Sequence, residues 1–189
     1  MDSDYLQKVL DGDIQSFSYF IKNYQNGAYG IAMSIVKSND KAQDVVQESF
    51  VQAYNSLSSF KMKSKFSTWL YRIVVNKSLR FLEKEKKYVA EVAPSNAMIE
   101  DNASYNEALK SLKNEELKLL VKAILDKLPP KEALVLQLFY LNDFKIDEVT
   151  SITNFTRANV KVLLHRGRER FYNVLKNNYN ISNFNDLIS

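Results

Sequence analysis

IDEVTSITNFTRANVKVLLHRGRERFYNVL, residues 146–175, contains two segments with a helical spacing of apolar residues on either side of Thr153-Asn154-Phe155. The pattern predicts a short helix over Ile146–Ile152 and a longer helix that is capped by Thr156 and reaches about Leu175. Two helices joined by a three-residue turn form a helix-turn-helix, whose second helix enters the major groove of DNA. The segment therefore predicts a DNA-binding unit.

The second predicted helix has an apolar and a polar face. At about 100° per residue, the positions expected on the buried side are Val160, Leu164, Gly167, Phe171 and Leu175. The opposite side holds Ala158, Asn159, Lys161, Val162, His165 and Arg166, flanked by Arg157, Arg168 and Arg170. These side chains could reach base edges or phosphates, but a solvated basic helix is the alternative. Gly167 costs about 1 kcal/mol within a helix, so we expect a close helix contact there.

The positive charge of the chain is concentrated in two segments. The 189 residues carry a formal net charge of +4. Residues 61–87 contain nine Lys or Arg and two Glu, residues 156–176 contain six against one, and the remainder is net acidic. Two separate basic segments on an acidic background indicate two contacts with one polyanion.

Apolar residues also recur at helical spacing over the first ninety positions. They predict one helix from Phe17 to Ile35 and, after a short loop, another over residues 65–87. Between these two, Asn39 and Asp40 offer an N-cap, with Gln43 placed to complete a capping box. The expected buried stripe of this middle helix is Val46, Phe50, Ala53, Tyr54 and Leu57. Its polar residues on other faces are Asp44, Gln47, Glu48 and Gln52.

The helical pattern weakens between Tyr88 and Glu115. Pro94, Ser95 and Asn96 precede an acidic stretch with few large apolar residues, which is typical of a linker, with one helical piece near 108–112. We therefore expect an all-α fold of two small helical domains joined by a linker. The expected boundaries are 1–88 for the first domain, 89–115 for the linker, 116–176 for the helix-turn-helix domain and 177–189 for the tail.

The composition excludes several other classes of protein. Four Gly and three Pro are too few for the turns of most sandwiches, barrels and dinucleotide-binding folds. Without cysteine, and with His165 as the one histidine, there is no disulfide framework or zinc finger and little room for metal or triad chemistry. Walker A and HExxH motifs are absent, so we expect no enzyme, no cofactor and no metal. The acidic N-terminus and the lack of a long apolar run predict a cytoplasmic protein without membrane insertion.

Three stretches of the sequence carry a family resemblance. The first is Asp44-Val45-Val46-Gln47-Glu48-Ser49-Phe50, and the second is Phe66-Ser67-Thr68-Trp69-Leu70-Tyr71-Arg72-Ile73-Val74-Val75-Asn76. The third combines Leu128-Pro129 with Val160-Lys161, Leu164-His165-Arg166 and Arg168. In this order and spacing they resemble the extracytoplasmic-function (ECF) group of RNA polymerase sigma factors, which belongs to the sigma-70 family.

The resemblance implies a sigma-2-like helical bundle, a sigma-4-like helix-turn-helix domain and a promoter-specificity subunit. The first domain would bind the clamp coiled coil of the polymerase beta-prime subunit through Asp44, Gln47, Glu48 and Gln52. It would open the minus-10 promoter element around a flipped-out base with Lys61, Lys63, Lys65, Phe66, Trp69 and Asn76. The second domain would dock on the beta flap and read the minus-35 element with Arg157, Asn159, Lys161, Val162, His165, Arg166 and Arg168. An anti-sigma factor is a further expected partner.

The physical chemistry of the minus-10 residues is consistent with these roles. Unstacking a base costs a few kcal/mol, which an aromatic face and an amide can offset. Phe66 and Trp69 supply aromatic faces, and Asn76 can both donate and accept on a base edge. Both aromatic residues could instead belong to the core, because each lies on an amphipathic helix.

The sequence departs from the pattern of the family in several places, among them Glu83 and Glu85 within the basic run that closes the first domain and Lys145, where relatives have Ser before the first short helix. The loop after Phe60 reads KMKSK, residues 61–65, where most relatives have Gly and Asp. The glycine of the helix-turn-helix turn is replaced near Asn154. Val162-Leu163 stands where the family has Ser-Arg, which removes one expected DNA contact.

Two other functions remain open from the sequence. One is a stand-alone helix-turn-helix repressor or activator with a helical effector or dimerisation domain. The other is a degenerate sigma-like protein that binds polymerase without reading promoters. A polymerase pull-down separates the sigma factor from the repressor, and promoter-dependent transcription separates it from the degenerate protein.

Overall fold

The computed structural model describes the backbone of residues 1–92 and 114–179 and the side chains of residues 1–84 and 117–178. Every regular element within these ranges is helical, so the prediction of an all-α fold is confirmed. The expected helical piece at 108–112 lies outside the described residues, as do most of the expected linker and tail. None of the helices within the described ranges is long and apolar enough to cross a membrane.

The first half of the chain forms four α-helices. They are α1 (Asp2–Leu10), α2 (Ser18–Val36), α3 (Asn39–Asn55) and α4 (Phe66–Val92), with 3₁₀ turns at Ile14–Phe17 and Leu57–Ser59. Helices α2, α3 and α4 pack against one another around fully buried side chains that include Phe20, Ile31, Ile35, Leu70 and Val74. These large apolar side chains supply the core that holds the three helices together.

The buried face of α3 differs from the prediction. Val45 is buried, whereas Val46 is only partly buried and Tyr54 is exposed at the edge of the helix. The cause is that α3 packs against α2 on one side and α4 on the other, which turns Val45 inwards and leaves Val46 at the margin. The buried residues of α3 are Ala42, Val45, Ser49, Phe50 and Ala53.

The start of α3 also differs from the prediction. Its N-cap residue is Ser38, and no side chain caps it. The side-chain oxygen of Asn39, which we expected in a capping box, instead accepts a hydrogen bond of 2.7 Å from the hydroxyl of Tyr29 in α2. A hydrogen bond to a residue in another helix has therefore taken the place of the expected capping hydrogen bond.

The second half of the chain forms the helix-turn-helix domain. Its elements are α5 (Asn114–Lys127), α6 (Pro130–Leu136), a π-helical turn (Gln137–Leu141), α7 (Ile146–Thr153) and α8 (Arg157–Tyr179). In the turn between α7 and α8, Asn154 has φ 59°, the left-handed region that asparagine tolerates better than most residues. The Thr156 hydroxyl oxygen accepts the backbone N–H of Asn159 at 3.2 Å, which confirms the predicted cap of α8.

Glycine at position 167 allows α8 to approach α6 closely. A Cβ atom there would lie 3.1 Å from two side-chain carbons of Leu136. The close helix contact predicted from the sequence is therefore present, and it fixes the orientation of α8. Val160, Leu164 and Leu175 are buried as predicted, together with Leu163, while Phe171 is partly buried.

The two halves of the chain also contact each other. Helix α2 packs against α6 and the π-helical turn, and α4 packs against α7. At the second contact the rings of Tyr71 and Phe144 meet edge to face, with centroids 5.7 Å apart. Burial raises the pKa of the Tyr71 hydroxyl to about 12.

Candidate DNA and polymerase interfaces

The outer face of α8 is built from polar side chains that the structure exposes together. Arg157, Asn159, Lys161, His165 and Arg166 are all exposed. Val162 lies among them and is 45% exposed. Because the buried side of α8 is fixed by the α6 contact, this face is held rigidly outwards at the surface of the domain.

Several of the cations on α8 have partners within the same domain. Arg157 pairs with Asp147 of α7 at 2.5 Å, and His165 Nδ1 lies 3.4 Å from Glu169. Within the part of the chain that the structure describes, Lys161 and Arg166 make no ion pair. These two are therefore the cations of the outer face that can bind an external anion without first breaking a contact.

Two further arginines of α8 point towards other elements. Arg168 donates a hydrogen bond of 3.1 Å to the hydroxyl of Tyr140, and Arg170 pairs with the buried carboxylate of Glu132 in α6 at 3.0 Å. Arg168, which the sequence assigned to the minus-35 surface, is thus held beside the π-helical turn.

The loop that precedes α4 presents three exposed lysines, Lys61, Lys63 and Lys65. Met62 has φ 53°, the left-handed region that glycine adopts without strain. The loop therefore adopts a left-handed backbone at a residue other than glycine.

Lys65 contacts the second domain. Its Nζ atom lies 2.9 Å from Oε1 of Glu148 in α7. Partial burial raises the pKa of Glu148, but the backbone N–H of Lys145 and the ammonium of Lys65 outweigh it and hold this pKa below its ordinary value. The carboxylate of Glu148 is therefore ionised at neutral pH and attracts Lys65.

The aromatic ring of Phe66 does not belong to the candidate site. It is 2% exposed and packs against Phe20 and Tyr24 of α2, with centroid distances of 4.3 and 5.6 Å. A ring enclosed in this way has no free face on which a base could stack. Trp69 is partly buried against Phe60 at 5.0 Å and forms the outer edge of the same aromatic cluster.

Asn76 is exposed on α4, where the sequence assigned it to the minus-10 pocket. Arg72 and Arg80, one helical turn before and after it, are exposed on the same stripe. The sequence analysis counted these arginines as charge but did not include them among the candidate site residues. Their spacing of four from Asn76 was the signal that could have found them.

The polar residues of α3 share one exposed side of the helix. Asp44, Glu48 and Gln52 follow one another at intervals of four and form one exposed stripe, on which Glu48 pairs with Lys77 of α4 at 2.9 Å. Gln47, three residues after Asp44, is also exposed and lies beside this stripe, at the edge of a groove. The structure therefore exposes all four predicted polymerase contacts on one side of α3.

This groove, which we call the α2–α3 groove, has a volume of about 740 Å³. Beside Gln47, it is lined mainly by apolar side chains of α2, α3 and the preceding 3₁₀ turn, among them Ile14, Ile21, Phe50, Val51 and Tyr54. Ile14 is 64% exposed and Val51 is 55% exposed. An exposed apolar surface of this kind is typical of a protein-binding site, and the sequence analysis missed it because it assigned only polar residues to this role.

A second apolar groove, the α5–α8 groove, lies on the helix-turn-helix domain. Its volume is about 390 Å³, and its lining includes Val121, Leu136, Tyr140, Leu141, Phe171 and Leu175. Tyr140 and Leu141 of the π-helical turn are more than half exposed. Each domain therefore combines an exposed polar surface with a separate apolar groove.

Comparison with known proteins matches both domains. Residues 20–88 match Sigma-70 region 2, and residues 118–171 match Sigma-70 region 4. The ECF RNA polymerase sigma factor SigW of Bacillus subtilis (strain 168) is 32% identical over 173 residues, covering 87% of this chain and 91% of its own length. The ECF RNA polymerase sigma-E factor of Escherichia coli (strain K12) is 30% identical over 179 residues, covering 91% and 93%.

Two solved structures share the fold. One is the sigma factor RpoE in complex with the anti-sigma factor NepR from Bartonella quintana, with a TM-score of 0.69 and 23% identity over 86% of this chain and 98% of that chain. The other is CnrH in complex with the cytosolic domain of CnrY, with a TM-score of 0.61 and 18% identity over 91% and 95%.

The chain belongs to the sigma-70 family of RNA polymerase sigma factors, in its ECF group. It is not an enzyme: it binds the polymerase core and promoter DNA and directs promoter-specific initiation of transcription. The sequence-based prediction of the family and of this function is confirmed, and the stand-alone repressor and degenerate protein are set aside.

Proposed function

We propose that this sigma factor reads the minus-35 element with the outer face of α8 and opens the minus-10 element with the lysine loop and the exposed stripe of α4. The observation that carries the proposal is the pair of cations without an ion-pair partner in the described structure, Lys161 and Arg166, on either side of the exposed Val162. Two cations around an apolar side chain can bind phosphate and base edges at the same time.

The residues assigned to each element follow from the exposed surfaces. For minus-35 they are Arg157, Asn159, Lys161, Val162, His165 and Arg166. Arg168 could join them only after its hydrogen bond to the hydroxyl of Tyr140 is broken. For minus-10 they are Lys61, Lys63, Lys65, Trp69, Asn76, Arg72 and Arg80. Phe66 has a different role, since it anchors the start of α4 in the core.

The apolar grooves support a division of the polymerase contacts. The α2–α3 groove and the stripe of Asp44, Glu48 and Gln52 would receive the clamp coiled coil of beta-prime, and the α5–α8 groove would receive the flap of beta. Apolar burial would supply most of the binding free energy, and the charged stripe would set the orientation. The expected domains are 1–88 and 116–176, with the linker 89–115 between them and the tail 177–189 at the end. Each of the two domains contains one such groove.

The protein is expected to act in the cytoplasm, where it meets the polymerase core. The matched structures are sigma factors in complex with anti-sigma factors. We propose that an anti-sigma factor likewise holds this chain inactive by covering surfaces that the polymerase needs.

Replacement of Lys161 tests the minus-35 assignment. Lys161→Ala should weaken binding of the holoenzyme to a duplex that carries the minus-35 element and should reduce the slope of log affinity against log salt by about 1, because one phosphate contact is lost. Fluorescence anisotropy over a salt series measures both quantities. Lys176→Ala is the matched control, since it removes the same charge from the last turns of α8. Equal losses in the two variants would contradict the assignment.

A further inference from the structure

Helix α6 carries a carboxylate on the face that α8 covers. Glu132 is 5% exposed. A Cβ atom on Gly167 of α8 would lie 3.5 Å from the Cβ atom of Glu132 and 3.1 Å from side-chain carbons of Leu136, one turn later in α6. Within the part of the chain that the structure describes, the buried Oε2 atom of Glu132 accepts no hydrogen bond. A buried carboxylate costs free energy unless an opposite charge compensates it.

Arg170 of α8 supplies this opposite charge. Its Nε atom lies 3.0 Å from Oε2 of Glu132, and because the contact does not meet the geometry of a hydrogen bond, it is an ion pair. The side chain of Arg170 is 58% exposed, so water also solvates its charge. Glu132 therefore depends on Arg170 for compensation more than Arg170 depends on Glu132.

Stability alone does not account for this ion pair. Apolar residues of similar volume in place of a buried ion pair are often neutral or stabilising. Leu136 and Gly167 already provide a close apolar contact between α6 and α8. Apolar contacts have no preferred direction. The ion pair adds a directional contact, which is favourable at one rotation of α8 about its own axis.

This rotation decides where the outer face of α8 points. At about 100° per residue, Arg170 lies about 40° from Arg166 of the outer face and about 60° from Gly167 of the buried face. Side chains extend about 5–6 Å from the axis of a helix, so a rotation of about 15° moves the end of Arg166 by about 1.5 Å. Hydrogen bonds tolerate donor–acceptor distances of only about 2.7–3.2 Å. A small rotation of α8 is therefore enough to break a contact with a base edge.

We propose that Glu132 is a positioning residue for recognition of the minus-35 element. Through Arg170 it fixes the rotation of α8 and thereby the base edges that Lys161, Val162 and Arg166 meet. The inference rests on the proposed reading of this element by the outer face of α8. Glu132 acts on specificity more than on affinity, because phosphate contacts position the protein whereas base contacts carry the sequence information.

Glu132→Met tests this role, because methionine fills a similar volume without a charge. The midpoint of thermal unfolding should equal or exceed that of the wild type. Affinity of the holoenzyme for a duplex with the minus-35 element should fall about fivefold or more, as for one mismatched base pair. Affinity for a duplex without the element should not fall. Fluorescence anisotropy measures both affinities, and an unchanged ratio between them would overturn the proposal.

Arg170→Met removes the same ion pair from its exposed end. It should lower the affinity ratio as much as Glu132→Met does, and the double variant should lose no more, because both changes remove one contact. Arg170→Lys keeps the charge and should retain most of the discrimination. Lys176→Met is the matched control, since it removes a cation from the last turns of α8. Additive losses, or a salt slope lowered by about 1 in Arg170→Met, would show that Arg170 itself contacts DNA and would overturn the proposal.

A third measurement follows α8 without DNA. Spin labels on cysteines introduced at the exposed positions Ser151 of α7 and Asn173 of α8 report the distance between these helices in the cysteine-free chain. The distance distribution of the free protein should shift or broaden by about 1 Å or more in Glu132→Met and Arg170→Met, but not in Lys176→Met. An unchanged distribution in the first two variants would overturn the proposal. Because no DNA is present, a failure of Glu132 to hold α8 is distinguished from a failure of α8 to read the minus-35 element.

Discussion

Val162 places an isopropyl group in the middle of the outer face of α8, at an exposed position where packing within the protein does not require an apolar side chain. It is 45% exposed and lies between two cations. Only thymine among the four bases offers a methyl group in the major groove, so the contact that this side chain can add is with a thymine C5-methyl. The affinity would then come mainly from the cations, and Val162 would contribute discrimination.

Val162→Ser should weaken the use of a minus-35 element that contains thymine by about 1 kcal/mol, which is at the lower end of the cost of a single mismatch. The salt dependence should change little, because no charge is removed. Transcription from promoters with thymine or uracil at each minus-35 position measures the effect. If no uracil substitution affects the wild type more than the serine variant, the methyl contact does not exist.

Single residues also mark where sequence reasoning succeeded and where it could not. The outer face of α8 was predictable, because its cap and its helical period are local properties of residues 156–175. The burial of Phe66 was not, since it depends on Phe20 and Tyr24 in another helix. The buried face of α3 was predicted wrongly for the same reason. Val45 and Val46 are alike as sequence, and only the packing of α3 against its neighbouring helices decides that Val45 is the buried one.

The helix α4 joins the core to the minus-10 surface, since Trp69 closes the aromatic cluster while Asn76 lies exposed two turns later. A base-edge contact that forms only after the base has left the stack cannot help the closed promoter complex. Asn76→Ala should therefore reduce promoter opening more than closed-complex formation. Permanganate reactivity of a duplex promoter measures opening, a pre-melted bubble is the control template, and Asn23→Ala is the control variant. Equal defects on both templates would argue against a role confined to opening.

The helix α3 separates a buried face from the stripe that begins at Asp44. Asp44→Arg should leave the helix folded, because the side chain is exposed, and should weaken competition for core polymerase by reversing one charge contact. Asp11→Arg is the control, because it reverses an exposed charge at the end of α1, where a cation is well tolerated. Competition with a labelled sigma factor gives the relative affinities. If the two variants compete equally well, the stripe does not face the polymerase.

The whole molecule adds information that no local pattern contains. The sequence predicted two domains and their order, but it did not predict that they meet, because the close approaches of Gly30 to Gln137 and of Gly27 to Asn142 join positions more than a hundred residues apart. Gln137 is the one polar amide in the otherwise apolar segment 133–141, ALVLQLFYL, and no local pattern explains it. In the structure it is buried against α2.

The packing of the two domains against each other should depend on pH through Lys37, whose Nζ atom donates a hydrogen bond of 2.6 Å to the carbonyl oxygen of Leu125 in α5. Burial lowers the pKa of Lys37 to about 8, although the nearby carboxylate of Asp126 opposes the shift; Lys122 is the other charge close to this carboxylate. With the domains apart, Lys37 should have its ordinary, higher pKa, so packing of the domains releases a proton between these two values. Raising the pH from about 7.5 to 9.5 should therefore favour the packed arrangement, by less than about tenfold per pH unit because Lys37 is partly solvated.

Energy transfer between two dyes, attached to cysteines introduced at the exposed positions Ser59 and Asn173 of this cysteine-free chain, measures this dependence. Neutral Lys37 can still donate to the Leu125 carbonyl, so the hydrogen bond survives the loss of the proton. Lys37→Met is the control and should flatten the pH profile. A profile that falls with rising pH, or one that Lys37→Met leaves unchanged, would contradict the role of Lys37.

The placement of glycine in this chain has a consequence for its tolerance of substitution. Three of the four glycines, Gly27, Gly30 and Gly167, lie inside helices at close approaches, while left-handed backbone positions carry Lys37, Met62, Asp143 and Asn154. In this chain, glycine therefore allows close packing of helices more than it allows left-handed backbone conformations in turns. In a library of all single substitutions, the turns should accept glycine readily, whereas bulky replacements at the helical glycines should be the ones that selection removes.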